Sequence, residues 1–450
     1  MADAAGPMRV LFASMPFDGH FLPLTGLALH LRRHGHDARF YTGPSYAQRL
    51  AALDVPHLPF RRATEVNGDN LAEHYPEVAK LKGPKRIAFD LEKIFFGNTR
   101  AHFDDIREIR AEFAFDALVA DGAFYAAYLV AEKLSVPVFG VGAGPTPAPT
   151  SPTAPPPFFG LTPARNPIAR MRHRVVRAMV ESTTKRGMRS FNELLADEGL
   201  PRYERSVFDL PWDTANLFFM TGVAEMDFPR SDWPANHRFV GPLLPPRTSV
   251  ATELPFADEL DRFASVVVVS QGTVDNRDPE KLLVPALTAL AGTHHLVVAC
   301  TGRRHTDALR ARFPHDNVVV EDWVDFDTLL PRANLFVCNG GYGSIMHALM
   351  NEVPILSAGK LEAKNDINAR LAYRGFGLDL KTERPKPDQI AAGVKRVLGD
   401  PSFKQNVTRV SKVLKASRPL ETMEAAIVAG QPNWGAADQE TTRVPPPYTA

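Results

Sequence analysis

The stretch MRVLFASMPFDGHFLPLTGLALHLRRHGHDARFYT, residues 8–42, decides the fold. It opens with MRVLFAS (8–14), a short apolar run rich in β-formers. A loop with Pro16 and Gly19 follows. LPLTGLALHLRRHG (22–35) then has helical spacing and stops on Gly35, a C-cap residue. DARFYT (37–42) is a second strand. Strand, loop, helix and strand in that order make a βαβ unit, whose sheet is parallel.

The pattern continues outward. FDALVAD (115–121) reads as a buried strand, YLVAEKL (128–134) as a helix and VPVFGVG (136–142) as the next strand. From 143 to 167 the run is too rich in proline for a helix or a central strand. A loop of that length is functional or disordered, and Phe158-Phe159 within it favours a wall over an apolar ligand. After a second proline-rich connector, GPLLPPRTSVATELP (241–255), strands are predicted at 265–270, 295–300, 318–323, 335–339 and 354–359, with helices at 279–292 and 342–352. This alternation predicts a second doubly wound α/β domain. The expected units are 8–240, a linker at 241–255, 256–400, helices at 401–430 broken near Pro419, and a poorly anchored tail at 431–450.

Composition narrows the function. A chain of 450 residues has room for two full cores, and 44% hydrophobic with 23% charged residues fits a globular protein. Lys plus Arg at 52 against Asp plus Glu at 51 leaves +1, so no overall field points to nucleic acid or to a membrane. The only cysteines, Cys300 and Cys338, lie in apolar strands, which excludes a disulfide framework and suggests a reducing compartment. No run is long enough to span a bilayer. A cytoplasmic enzyme or binding protein is expected, with no stable membrane insertion.

In open parallel sheets, ligands bind at the carboxyl ends of the strands. His20 stands there after the first strand, and Asp121 closes the strand 115–121. Alone, each reads as readily as a surface residue or a cap. Together they form a base and its orienting carboxylate. In the second domain, VCNGGYGSIMHAL (337–349) runs a strand into glycines that open a helix, a place for a diphosphate. Gly340, Gly341 and Gly343 allow close approach, while Asn339 and Ser344 offer side-chain hydrogen bonds. SQGT (270–273) is a second loop at the same edge. Trp323 offers a flat ring to a nucleobase. Asp325-Phe326-Asp327 matches a metal-binding Asp-x-Asp only superficially, because an aspartate opening the helix DTLLPRA (327–333) is the expected N-cap. No zinc-type His/Cys spacing and no Gly-x-x-x-x-Gly-Lys phosphate loop is present.

Taken together, these blocks resemble the nucleotide-sugar-dependent glycosyltransferases of the B-type fold, from about Met8 to Gly430. GHFLPLTGLA (19–28) resembles the Gly-His-x-x-Pro segment whose histidine is the catalytic base, and LVADGAFYAAYLVAEKLSVP (118–137) the segment with its partner aspartate. These roles carry to His20 and Asp121. SQGT is similar to the family's Ser-x-Gly-Thr phosphate loop, DWV (322–324) to the segment whose tryptophan stacks on the base, and NGGYGSIMHALMNEVPIL (339–356) to the donor signature. The resemblance implies two Rossmann-like domains facing across a cleft, with tail helices crossing back onto the first. It implies donor contacts at Ser270, Gly272, Thr273, Trp323, Val324, Asn339, Gly341, Gly343, Ser344, His347, Lys364 and Asn365.

Four places depart from the family pattern: Asn339 stands for a histidine, Asp325-Phe326 for Pro-Gln, His347 for an acid near the ribose, and Lys364-Asn365 for the Asp-Gln that holds the sugar. An acceptor pocket is expected at Phe17, Gly19, Phe95, Phe124 and Phe158. The expected activity is inverting, metal-independent transfer of a sugar, first of all glucose from UDP, to a hydroxyl of a lipophilic small molecule. The donor is a co-substrate and no cofactor is required; the chain acts as a monomer or homodimer. Two alternatives stay open here. A sugar-nucleotide-binding protein would not need His20 and Asp121. An epimerase on the same fold would need no acceptor pocket.

Overall fold

The sequence condenses around two parallel sheets in the computed structural model, which describes residues 6–145, 147, 151–246, 253–272, 276–361 and 363–430. Thr273, positions 146 and 148–150 of the proline-rich stretch, 247–252 of the connector and the tail 431–450 lie outside the described residues. The first sheet holds β1 (Arg9–Ala13), β2 (Asp37–Thr42), β3 (His57–Pro59), β4 (Ala117–Asp121), β5 (Val138–Gly142), β6 (Leu217–Thr221) and β7 (His237–Gly241) in the order 3-2-1-4-5-6-7. The second holds β8 (Ser265–Ser270), β9 (His295–Cys300), β10 (Val318–Glu321), β11 (Leu335–Cys338), β12 (Ile355–Ser357) and β13 (Gly377–Asp379) in the order 10-9-8-11-12-13.

Both sheets carry apolar side chains on both faces, as parallel sheets covered by helices must. In β1, Leu11 and Ala13 enter one core cluster while Val10 and Phe12 enter another. In β8, Val266 and Val268 face one cluster and Val267 and Val269 the other. Each such buried valine, leucine or phenylalanine stabilises the fold by about 1.5–3 kcal/mol. The chain then folds back across itself: Val407, Val410 and Leu414 of the helix Pro401–Ala416 pack under the second sheet, whereas Met423, Ala426 and Ile427 of Pro419–Ala429 join the core of the first. Glu424 adds a polar clasp there, accepting hydrogen bonds from His30 Nε2 at 2.9 Å and His34 Nδ1 at 2.7 Å.

The sequence expectations are adjusted at several points. The first helix begins at Asp18, not at 22, despite Pro23 inside it. Pro23 has no N–H for the carbonyl of Gly19, so the first turn is left incompletely bonded on its exposed side. The strand expected at 318–323 ends at Glu321. β3, β6, β7 and β13 were not expected, nor was the 31-residue helix Pro167–Asp197.

In each sheet one pair of neighbours marks where the winding reverses: β1 beside β4, and β8 beside β11. Crevices open at the carboxyl ends of such pairs. The two carboxyl edges meet through the helix Tyr342–Met350. The Tyr342 hydroxyl donates to the Thr221 carbonyl at the end of β6 (3.1 Å), and a Cβ placed on Gly144, beyond β5, would sit 3.8 Å from the Tyr342 ring.

Candidate active site

His20 occupies the first turn of the helix Asp18–Arg33, directly after β1, and Asp121 ends β4. Pairing of β1 with β4 sets Ala13 beside Ala120 and brings the two side chains together. His20 Nδ1–H donates to Asp121 Oδ1 at 2.9 Å. The carboxylate is fully buried and held from two further directions, accepting from the Met15 amide at 2.7 Å on Oδ2 and the Ala123 amide at 2.8 Å on Oδ1. Such a fixed acceptor selects the tautomer with the proton on Nδ1 and makes Nε2 the basic nitrogen. The imidazole keeps 30% of its side-chain surface exposed, so it reaches the cleft while its partner does not.

Aromatic rings frame it. The Phe17 ring lies 6.0 Å from His20 and the Phe95 ring 6.1 Å, with Phe17 and Phe95 6.4 Å apart. Phe95 ends a π-helical turn, Asp90–Phe95, a distortion often found at functional sites. Gly19 is exposed, and a Cβ there would meet nothing within 4 Å. Phe124 departs from the expectation: it is 2% exposed and packs against Tyr41 and His102 in the core, because the turn after β4 points it beneath the sheet.

Phe158 packs on the core of its own domain, its ring 5.3 Å from that of Phe208. Its φ is +72°, uncommon for a bulky residue. The conformation is held by the second domain: the amides of Phe158 and Gly160 donate to Asp366 at 2.7 and 3.0 Å, and Asn365 Nδ2 donates to the Phe158 carbonyl at 3.1 Å. Burial pushes the Asp366 carboxyl above its ordinary range, against Arg370 and the two amides. Asn365, expected near a sugar, thus spends its side-chain N–H on the opposite loop. Lys364 beside it is buried.

At the second reversal point, Ser270 pairs with Cys338, which sets the loop after β8 beside the glycine turn after β11. Ser270 Oγ accepts from the Gly272 amide at 3.3 Å. Asn339 stitches the two loops together, donating to the Gln271 carbonyl and accepting from the Gly341 amide at 3.2 Å. Sequence reasoning missed Gln271. It is 1% exposed and donates to the Asp278 carbonyl while accepting from the Leu282 amide, so it fixes the loop from below.

Among the described residues, Asn339 takes the Gly341 amide but no N-cap side chain covers the first turn of the helix Tyr342–Met350, and exposed Gly343 has open space where a Cβ would stand. Uncapped amides beside open space suit an anion. Gly340 has φ +90°, and a Cβ there would strike the side chain of Asn368. Gly340→Ala is therefore expected to cost at least about 1–2 kcal/mol for the left-handed backbone alone, measured as a drop in the urea midpoint.

Trp323 lies just beyond β10 and is 63% exposed, whereas Val324 is in the core. Asp325, not Asp327, caps the following helix, accepting from the Asp327 amide at 3.1 Å and the Thr328 hydroxyl at 2.7 Å. Asp327 instead pairs with His347 Nδ1 at 3.2 Å. Among the described residues, the group that brings potential metal ligands together is His30, His34 and Glu424, at the far end of the helix that carries His20.

Comparison with known proteins agrees with this architecture. Residues 285–428 match the family described as erythromycin biosynthesis protein CIII-like, C-terminal domain. The chain is 33% identical over 403 residues to 4'-demethylrebeccamycin synthase of Lentzea aerocolonigenes, covering 89% of this chain and 94% of that protein. It is 26% identical to UDP-glycosyltransferase 2 of Phaeomoniella chlamydospora, covering 94% and 95%. The crystal structure of a kitacinnamycin glycosyltransferase superposes with a TM-score of 0.72 at 20% identity, over 95% of this chain and 100% of that one. No helix among the described residues is long and apolar enough to cross a membrane.

Proposed function

The chain belongs to the family of UDP-glycosyltransferases acting on natural products, and from that premise we propose inverting transfer of a sugar, glucose first, from a UDP-sugar to a hydroxyl of a lipophilic small molecule. The observation that carries this reading is the buried Asp121 locked to His20 at the reversal point of the first sheet. His20 Nε2 takes the acceptor proton as the oxygen attacks the anomeric carbon. The bond from that carbon to the diphosphate oxygen breaks on the opposite face, which inverts the centre. Asp121 stabilises the imidazolium that forms.

The departing diphosphate is received by the amides opening the helix Tyr342–Met350 and by the hydroxyls of Ser270 and Ser344. Thr273 follows Gly272 in the sequence. Asn339 keeps the two loops in register, a bracing role rather than a contact with phosphate. Trp323 carries the base, with Val324 packing behind its turn and His347 near the ribose. Gly272, Gly341 and Gly343 let the backbone approach. Lys364 stands at the sugar, while Asn365 shapes the pocket by holding Phe158 in place. Phe17, Phe95 and Phe158 line the acceptor side and Gly19 leaves it open. A cytoplasmic monomer or homodimer suffices for this chemistry.

Preorganised donors of this kind are worth roughly 3–4 kcal/mol each in other enzymes. They meet the leaving-group charge without a divalent cation. EDTA is therefore expected to leave turnover unchanged, and proton NMR of the product to show an anomeric configuration opposite to the donor's. Abolition by EDTA with rescue by Mg²⁺, or a retained configuration, would overturn this mechanism.

A further inference from the structure

The helix Pro167–Asp197 follows, seven residues on, from Gly160, whose amide is docked on Asp366 of the second domain. Its first turns carry Ile168, Met171 and Val175, which are 82%, 65% and 65% exposed. At 100° per residue these positions share one stripe about 60° wide. The stripe lies opposite the buried His173, Val180 and Thr184, so the helix uses one face for the core and turns a second apolar face to solvent. Arg172 and Arg174 lie on its two flanks, Arg170 follows behind, and all three are exposed. From 161 to 180 the sequence LTPARNPIARMRHRVVRAMV contains no acidic residue. Arg177 is turned inward, donating to the Ala154 carbonyl.

A surface that is apolar along its crest and cationic along its sides is matched to a partner that is anionic outside and apolar within. A second copy of this chain fits it badly. A two-fold contact through the stripe would set Arg172 and Arg174 against their own copies, and three side chains fall far short of the roughly 800 Å² per partner of a stable interface. We infer that the start of this helix is a peripheral docking face for an anionic lipid surface, with Ile168, Met171 and Val175 entering the headgroup boundary and the arginines meeting lipid phosphates. The overall charge of +1 conceals this local field. Docking there would bring the mouth of the cleft to the phase in which lipophilic acceptors dissolve. The binding itself requires no turnover, so it stands or falls separately from the transfer reaction.

The test is co-sedimentation of the full chain with large vesicles, either pure phosphatidylcholine or equal parts phosphatidylcholine and phosphatidylglycerol. Binding to the anionic vesicles at low salt is expected, with release at about 1 M salt, where the screening length falls to about 3 Å, and no binding to the neutral ones. Each arginine near an anionic surface is worth about fivefold in partitioning, so Arg172→Glu/Arg174→Glu should lower binding more than tenfold. Met171→Ser/Val175→Ser, at exposed positions that leave the core intact, should lower it as well. Equal sedimentation of wild type and both folded variants would overturn the inference, as would no binding to anionic vesicles. So would dimerisation in solution that Met171→Ser abolishes, which would assign the stripe to a second copy, or binding of an acidic protein in preference to the vesicles.

Discussion

His20→Ala is expected to lower kcat by about 100-fold or more, the usual contribution of a positioned general base, while nucleotide binding is retained. The contacts described for the imidazole, with Asp121, Phe17 and Phe95, all lie in the first domain, so the variant is expected to keep its donor affinity. Asp121→Asn is the more informative partner. The carboxylate accepts from His20, Met15 and Ala123 at once. An amide has one acceptor oxygen and must turn an N–H towards one of these donors. If it turns towards His20, the ring flips its proton to Nε2 and the base is lost. A loss of about 10⁴ accompanies that substitution in a protease with a carboxylate-oriented histidine. The double variant should fall little below the worse single one, because the two residues act as a unit. Additive losses, or a His20→Ala enzyme within twofold of wild type, would remove the pair from the mechanism.

The second large effect is on stability. Burial pushes the His102 imidazole down to about 4, outweighing Asp105 and Asp121, and pushes His237 down to about 3 against Asp227. His102 bonds the Tyr41 hydroxyl at 2.9 Å, and His237 is stacked on Trp233 at 4.2 Å. An imidazole in the unfolded chain titrates near 6.5. Below that value the unfolded chain takes up a proton at each site that the folded chain refuses, so stability falls as pH falls. It is fully present above about 6.5 and drains away towards pH 4. Two protons correspond to about 2.7 kcal/mol per pH unit. Urea unfolding should show at least that slope near pH 5, where His57, His173 and His295 are also held low by burial, and His237→Phe, which keeps a ring against Trp233, should lower it by about 1.4 kcal/mol per pH unit. A flat profile across that window would contradict the burial of both rings as neutral species.

The fold class was legible because each βα step leaves a strong mark: an apolar run covered on both faces, then a helical period. SVVVVS and HLVVAC run over the same residues as β8 and β9. What escaped was short or ambiguous. β3 and β13 have three residues each, too few to show a period. LFFMT in β6 is an apolar run that reads as readily as buried helix. In the helix Pro167–Asp197 the exposed Ile168, Met171 and Val175 blur the amphipathic pattern that would mark it. At the site, the positions of His20, Asp121, Ser270 and the glycine turn followed from the rule that strands end at the ligand. The partners of individual side chains did not. Sequence cannot show that Asn339 and Asn365 spend their amides on Gln271 and Phe158, that Gln271 braces a loop, or that Phe124 turns inward, because each depends on contacts far apart in the chain.

The most direct test of the account is mass spectrometry of the purified protein incubated with a panel of UDP- and dTDP-sugars and a mixture of phenolic, macrolide and hydroxylated lipid acceptors, run beside His20→Ala. The account predicts an acceptor product heavier by one sugar, formed fastest from UDP-glucose and all but absent in the variant. Tight nucleotide binding with no glycosylated product from any pair, or equal product from wild type and His20→Ala, would contradict it.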